Sequence, residues 1–431
     1  MIERQSSCDD ALEPSLLPVE EARRRLFSSL QVVDELQNVY INKALGRVLA
    51  ADVISPLDVP AQANSAMDGY AISRSSIPNS GEASLAVIGT AWAGQPFSGH
   101  VGEGEAVRIF TGGIMPEGTD TVVIQEHVRL APGDSSGTES IDVDCHVVPG
   151  KNVRQAGEDV TRGQAVLQGG RKLQAADIGI LASLGIHRVE VIRPLEVAFF
   201  TTGDELQSLD EHAIGTDLEP GKLFDSNRYT LAALLAGLQV NVIDMGIVRD
   251  DETETRRVLQ AAAASADVVI TSGGVSAGEA DFVTRVFHEL GEVSFWKLAM
   301  RPGRPLAYGH IGKAAFFGLP GNPVAVMVTF LEFVQPALKY LSGMRDIEPL
   351  MLPARCLSRL RKPPGRVEYQ RGVMSLDNNG ELTVESTGKQ GAGRLSSMSK
   401  ANCLIVIASE ADGVLPGDRV HVQPFHGLLP G

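Results

Sequence analysis

The sequence predicts a multidomain protein of mixed α/β and β class. A doubly wound α/β domain is expected beside an inserted small β domain, a helical linker domain and a C-terminal small β-barrel. Three observations carry this. At 431 residues the chain exceeds what one hydrophobic core organises, so several domains are expected. Between residues 193 and 345 short apolar runs alternate with helical periodicity, the pattern of a mostly parallel sheet. Residues 57–149 and 350–431 instead carry strand-like runs separated by glycine and proline turns.

The elements follow in chain order. In 16–56, Val19, Ala22, Leu26 and Leu30 fall at helical spacing, and a second periodic segment, 44–53, stops at Ser55-Pro56. In 57–149 the runs 83–89, 106–111 and 121–126 read as strands, and 140–147 alternates apolar and polar residues. Helical signal returns in 150–192, best over 174–184. Residues 16–56 plus 150–192 are therefore expected to form the linker domain, with 57–149 inserted into it. The α/β domain, 193–345, reads as strands at 195–201, 240–246, 267–271, 293–297 and 314–318. Its helices are expected at 226–238, 251–264, 280–290 and beyond Pro323. In 350–431 the strands are 367–376, 381–386, 403–408 and 419–424, the first two joined by the turn Asp377-Asn378-Asn379-Gly380.

Composition excludes several classes. Lys+Arg 38 against Asp+Glu 53 gives a net charge of −15, so no nucleic-acid partner is expected, because that binding needs clustered positive charge. The most apolar helix, 324–341, carries Glu332 and Pro336 and reads as core, so no membrane span is expected. The N-terminal segment is charged, without the apolar stretch of a signal peptide. Cys8, Cys145, Cys356 and Cys403 are scattered, with no CxxC, which suits a reducing compartment. A cytoplasmic protein is the expectation.

In a doubly wound sheet, ligands bind beyond the carboxyl ends of the strands. Four such ends are unusual. Thr202-Gly203-Asp204-Glu205 follows the first strand. Ser272-Gly273-Gly274 opens a nearly side-chain-free loop, which is either a phosphate cradle at a helix N-terminus or a tight strand-to-helix turn. Arg301-Pro302-Gly303-Arg304-Pro305 follows Lys297 and concentrates positive charge. Leu319-Pro320-Gly321-Asn322-Pro323 combines a helix cap with a rigid turn. Glu205, Asp250 and Asp281 add carboxylates, which suggest Mg²⁺ bridging to a substrate phosphate; helix-start charge is the rival reading for Asp250. Neither GxGxxG nor a P-loop motif occurs, and no histidine pairs with a serine or cysteine in a triad pattern.

The ordered set of motifs resembles the molybdopterin molybdenumtransferase (MoeA) family, which includes the C-terminal domain of gephyrin. The matching pieces are NSAMDGYA at 64–71, FTGGIMPEGTDTVV at 110–123, GEDV at 157–160 and TTGDEL at 201–206. They continue with DSNRY at 225–229, TSGGVSAGEADF at 271–282, WKLAMRPGRPLAYG at 296–309, GLPGNPVAV at 318–326 and YQRG at 369–372.

The resemblance implies a homodimer whose 193–345 domain binds molybdopterin. It also implies insertion of molybdate into adenylylated molybdopterin with release of AMP, aided by Mg²⁺. Asp68, Glu205 and Asp281 would be catalytic, with Glu205, Asp250 and Asp281 on the metal. Thr111 and Asp159 would reach the same cleft across the dimer. Ser272, Gly273, Gly274, Lys297, Arg301, Arg304, Pro320, Pro323, Arg371 and Ser397 would bind substrate. Contacts with the adenylyltransferase and with acceptor molybdoenzymes are further implications. The family commonly has KPGKP where this chain has arginines at 301 and 304. Arginine keeps the charge and can donate two parallel bonds to an oxyanion. Two other readings stand beside this one: the adenylyltransferase that makes the preceding intermediate, and a gephyrin-like non-catalytic scaffold.

Overall fold

The computed structural model describes residues 16–131, 139–209, 217–274, 286–287 and 289–425. Its centre is a six-stranded sheet in the order Asn241–Val248, Glu196–Thr202, Val268–Ser272, Ala314–Leu319, Pro305–Ile311, Glu292–Lys297. The first four strands are parallel, and Pro305–Ile311 runs antiparallel to both of its neighbours. Helices cover both faces, so the central strands are apolar throughout rather than alternating. Phe199, Ile270 and Phe317 join Leu231, Leu235 and Val324 in one core, while Phe200, Val269 and Phe316 join Val258, Leu259 and Ala262 in the other. All four of these phenylalanines are fully buried, and truncating one to alanine would cost about 3–5 kcal/mol.

The strand Pro305–Ile311 was not foreseen. Its start lies inside the proline-rich motif, which reads as loop, but pairing on both edges makes it a strand. The expected helix at 280–290 falls largely outside the described residues. The apolar segment after Asn322 runs as a helix Pro323–Thr329, a π-helical stretch Phe330–Val334 and a helix Gln335–Leu341. Pro336 lacks the N–H an α-helix would need there, and the wider turn before it absorbs the mismatch. By length and composition this helix could cross a membrane, but it is 78% buried within the protein.

The helix Val19–Ser29 packs Val19, Ala22 and Leu26 into the core of the α/β domain, and the Ser29 hydroxyl lies 2.6 Å from that of Tyr308. Residues 44–53, expected to be helical, form turns and bridges instead. Non-local backbone partners win: Gly46 N–H donates to Leu173, Leu49 to Arg171 and Ala50 to Glu190. Around them Leu36–Tyr40 pairs with Arg188–Ile192, Val53–Ile54 pairs with Ala165–Leu167, and Ala175–Ser183 is the helix. Between these partners lies a separate six-stranded sheet: Thr121–Ile124, Gly69–Ile72, Glu105–Ile109, Glu82–Ala91, Ser140–Asp144, Arg129–Ala131.

The C-terminal strands Val367–Leu376, Leu382–Ser386, Leu352–Cys356, Arg419–Pro424 and Cys403–Ile407 form a closed barrel, since the last pairs back onto the first. Its attachments to the α/β domain include a strand pairing and a buried carboxyl. Met300–Arg301 adds a short parallel strand beside Val367 and Glu368. Glu332, on the π-helical stretch, is 5% exposed and hydrogen-bonds Tyr369 of the barrel; burial pushes its carboxyl up to about 7.

Candidate functional site

A cleft of about 1060 Å³ opens at the carboxyl ends of the parallel strands. Its walls carry opposite charge. Glu205 and Asp250 stand on one side, and Arg301, Arg304 and Arg366 on another. The floor is backbone-rich, with Gly273, Gly274, Pro320 and Pro323.

The floor is built by close approach. Gly273 has φ +95°, and a Cβ there would sit 2.6 Å from the Thr202 carbonyl oxygen. Only glycine lets the two strand ends come that near. Ser272, 2% exposed, accepts from Asn227 Nδ2 at 2.9 Å and donates to the Pro320 carbonyl at 3.2 Å. Asn227 also donates to the Gly321 carbonyl at 2.8 Å, so one amide ties the glycine loop to the proline turn. Among the described residues the Asn227 Oδ1 is buried with no protein partner, and it belongs to a residue lining the cleft. Asn227 was missed as a site residue, although DSNRY was visible; its sequence signal is that of a helix start, and Asp225 indeed caps that helix by accepting from Arg228 N–H at 3.0 Å.

On the acidic wall, partial desolvation and the neighbouring Asp204 and Glu205 carboxylates push Asp250, though exposed, above the ordinary carboxylate range. A bond from the Asp204 backbone to the Asp250 carboxylate offsets this only in part, and the Asp250 backbone N–H donates in turn to Asp204 Oδ1 at 3.3 Å. A divalent cation would relieve the crowding. Among the described residues no group of three or more His, Cys, Asp or Glu side chains is arranged to hold a metal alone. Mg²⁺ needs only one or two carboxylates plus substrate phosphate oxygens, so Glu205 and Asp250 fit it. Asp281, the third expected ligand, lies outside the described residues.

On the basic wall, Gly303 has φ +96° and a Cβ there would meet Thr329 Oγ1 at 2.4 Å, so the loop lies flat on the helix after Pro323. Arg301 Nε is 3.7 Å from Glu368 Oε1. Burial pushes the Glu368 carboxyl up, and the Arg301 charge only partly compensates. Arg371 and Ser397 do not line the cleft but sit behind it. Arg371 is 1% exposed; its Nε donates to Ser397 Oγ at 3.0 Å and its Nη2 to the Gly391 carbonyl at 3.2 Å. Gln390, Ala392 and Gly393, from the same segment, form the cleft surface in front of it. Burial lowers the Arg371 pKa to about 10, so the guanidinium stays charged at neutral pH. Lys297 is exposed on its strand and outside the cleft lining. Arg366 and Gln390 were missed because nothing in their local sequence marks them; the barrel delivers them.

Asp68, Thr111 and Asp159 are not brought to this chain's cleft. Asp68 Oδ1 accepts from Thr111 N at 2.8 Å and from Thr111 Oγ1 at 2.7 Å, and these bonds hold its carboxyl below the ordinary range. Asp159 is exposed, its N–H donating to the Val59 carbonyl at 3.0 Å.

Known proteins share this sequence and fold. Residues 17–185 match the MoeA N-terminal region (domain I and II), 198–340 a probable molybdopterin binding domain, and 353–425 the MoeA C-terminal region (domain IV). The chain is 40% identical over 415 residues to molybdopterin molybdenumtransferase of Haemophilus influenzae, covering 96% of this chain and 100% of that one. It is 32% identical to gephyrin of Dictyostelium discoideum, over 94% of this chain and 62% of gephyrin. The solved molybdopterin biosynthesis moeA protein of Pyrococcus horikoshii superposes with a TM-score of 0.81 at 28% identity, covering 95% of this chain and 100% of that one. A cleft of this construction, on a fold and sequence shared from end to end, places the chain in the molybdopterin molybdenumtransferase (MoeA) family.

Proposed function

We propose that the chain inserts molybdate into adenylylated molybdopterin and releases AMP, acting as a cytoplasmic homodimer with Mg²⁺. The observation that carries this reading is the pairing of an acidic wall, Glu205 and Asp250, with an arginine wall across one glycine-floored cleft. A pyrophosphate-linked substrate and a tetrahedral oxyanion need those two environments side by side.

The chain's own groups divide the work. The backbone of Gly273 and Gly274 faces the phosphates, and Ser272 and Asn227 keep that backbone in place. Glu205 and Asp250, with Asp281, would hold Mg²⁺, which when bound neutralises charge on the pyrophosphate. Arg301 and Arg304 bind molybdate, while Arg371 and Ser397 support the surface behind it. Lys297 adds long-range positive charge from outside the lining. Asp68, Thr111 and Asp159 act from the second subunit, since this chain's cleft does not contain them. Contacts with the adenylyltransferase and with acceptor molybdoenzymes belong to the same proposal, and the net charge of −15 speaks against nucleic acid as a partner.

The test is AMP release from adenylylated molybdopterin, with and without molybdate. Molybdate-dependent release supports the reading; consumption of ATP instead would assign the adenylyltransferase step. For the dimer, mixing Asp68→Ala with Asp281→Ala subunits should restore part of the activity. A mixture as inactive as its parents, with subunit exchange confirmed, overturns the shared cleft.

A further inference from the structure

The arginine wall encloses a buried carboxylate. Glu368 is 7% exposed and does not line the cleft, whereas Arg301 beside it does. Backbone register sets the two together. Met300–Arg301 runs parallel to the start of Val367–Leu376, with Arg301 opposite Glu368, and the Val367 N–H donates to the Ala299 carbonyl at 2.9 Å. Arg301 Nε stands 3.7 Å from Glu368 Oε1, while Glu368 Oε2 is buried without a hydrogen-bond partner among the described residues. Burial works against the Glu368 charge; of the groups that favour it Arg301 comes first, then Gln370, Lys362 and Arg366. Lys362 spends its ammonium on backbone carbonyls, those of Pro363, Ser409 and Ala411.

The dependence is therefore one-sided. Arg301, with its side chain 49% exposed, can exchange Glu368 for water at little cost. Glu368 is buried and cannot replace a lost cation so easily. An oxyanion entering the cleft draws on the same guanidinium, and each bond it takes leaves Glu368 less compensated. That cost is subtracted from oxyanion binding. We propose that Glu368 is a positioning residue for the oxyanion: a resident counter-ion that holds Arg301 while the cleft is empty and, by competing for it, keeps the bound oxyanion loose enough to move on to the pterin substrate. This rests on the function proposed above, in which the oxyanion is molybdate. A carboxylate kept only to anchor the loop would act in the opposite sense, since its removal would loosen Arg301 and weaken the oxyanion.

Glu368→Gln keeps the shape and removes the charge, and Glu368→Asp keeps the charge. Full-length unaltered protein, these two variants, Arg301→Ala and the double variant Arg301→Ala/Glu368→Gln are titrated with molybdate by calorimetry, with denaturation midpoints measured beside them. Glu368→Gln is expected to bind molybdate about 2- to 5-fold tighter, the factor that corresponds to an ion pair at a half-exposed arginine. Glu368→Asp should not tighten it. In the Arg301→Ala background the change to Gln should alter affinity by less than about 2-fold, because no guanidinium is left to compete for. In turnover, the molybdate concentration for half-maximal insertion should fall in Glu368→Gln by the same factor as in the titration. Equal or weaker binding in Glu368→Gln overturns the inference. So does an equal gain in Glu368→Asp, which would make the effect one of packing, or an equal gain without Arg301, which would make it one of general charge. A Glu368→Gln chain that no longer folds overturns it too, since the carboxylate would then serve the fold, as does absence of molybdate binding in every chain. If AMP release is molybdate-dependent while Glu368→Gln binds like the unaltered chain, only the counter-ion role falls. If AMP release is absent, the proposed function falls while the titration still reads the counter-ion.

Discussion

The two walls of the cleft solve opposite electrostatic problems. On the arginine wall the positive charges already have protein partners. Arg301 faces Glu368, and Arg371 donates to Ser397 and Gly391. On the acidic wall Asp250 faces the like charges of Asp204 and Glu205, and partial desolvation together with these neighbours pushes its carboxyl up. One wall is assembled by folding; the other is finished by what binds. Substitutions should therefore hurt stability and oxyanion binding on the first, and ligand linkage on the second.

The largest effect is expected at Arg371. Removing its side chain deletes two bonds from a charged donor, each worth about 1.5–3 kcal/mol, and empties the space of a fully buried side chain. Arg371→Ala should destabilise the protein by about 3 kcal/mol or more, read as a lower denaturation midpoint. If Arg371→Ala unfolds like the unaltered chain, the arginine wall is not assembled by folding, and the contrast with the acidic wall fails.

Arg301 and Arg304 sharpen the comparison on the ligand side. Arg301 is about half exposed, so its pairing with Glu368 contributes little to stability. Its value should lie in binding. Losing one charge-assisted bond should raise the molybdate concentration for half-maximal insertion about 10- to 150-fold in Arg301→Ala or Arg304→Ala, with pterin affinity nearly unchanged. Loss of pterin affinity with unaltered molybdate dependence would assign the loop to the other ligand.

The sequence showed the fold class because local and global preferences agree there. Runs such as the one ending at Phe199-Phe200 are apolar on both faces only if helices cover both. The glycine loop, the arginine loop and the proline turn were legible as strand ends, and the structure gathers them into one cleft. What stayed hidden was set by distant partners. Residues 44–53 have helical spacing, yet their hydrogen bonds go to residues 171–190. Arg366 and Gln390 enter the cleft only because the barrel closes and docks, and Arg371 reads as a site arginine while the fold places it behind the surface.

The smallest and most specific effect concerns Asp250. A carboxyl whose folded pKa is raised binds its proton more tightly in the folded state. Its contribution is therefore neutral well below the unfolded value, and stability is lost as pH climbs from the unfolded pKa through the raised folded one. Asp250→Asn removes that loss. Because Asp250 is exposed, solvent screening limits the gain to about 1 kcal/mol or less. Without metal, Asp250→Asn should thus be slightly more stable than the unaltered chain at neutral pH and equal to it at strongly acidic pH. With Mg²⁺ the order should reverse, because the cation stabilises only the state that holds it, and the variant has lost a ligand. Thermal denaturation at two pH values, each with and without Mg²⁺, reads all four corners. A variant that gains as much from Mg²⁺ as the unaltered chain would show that the crowding at Asp250 is a feature of the helix start, and that the acidic wall is completed elsewhere.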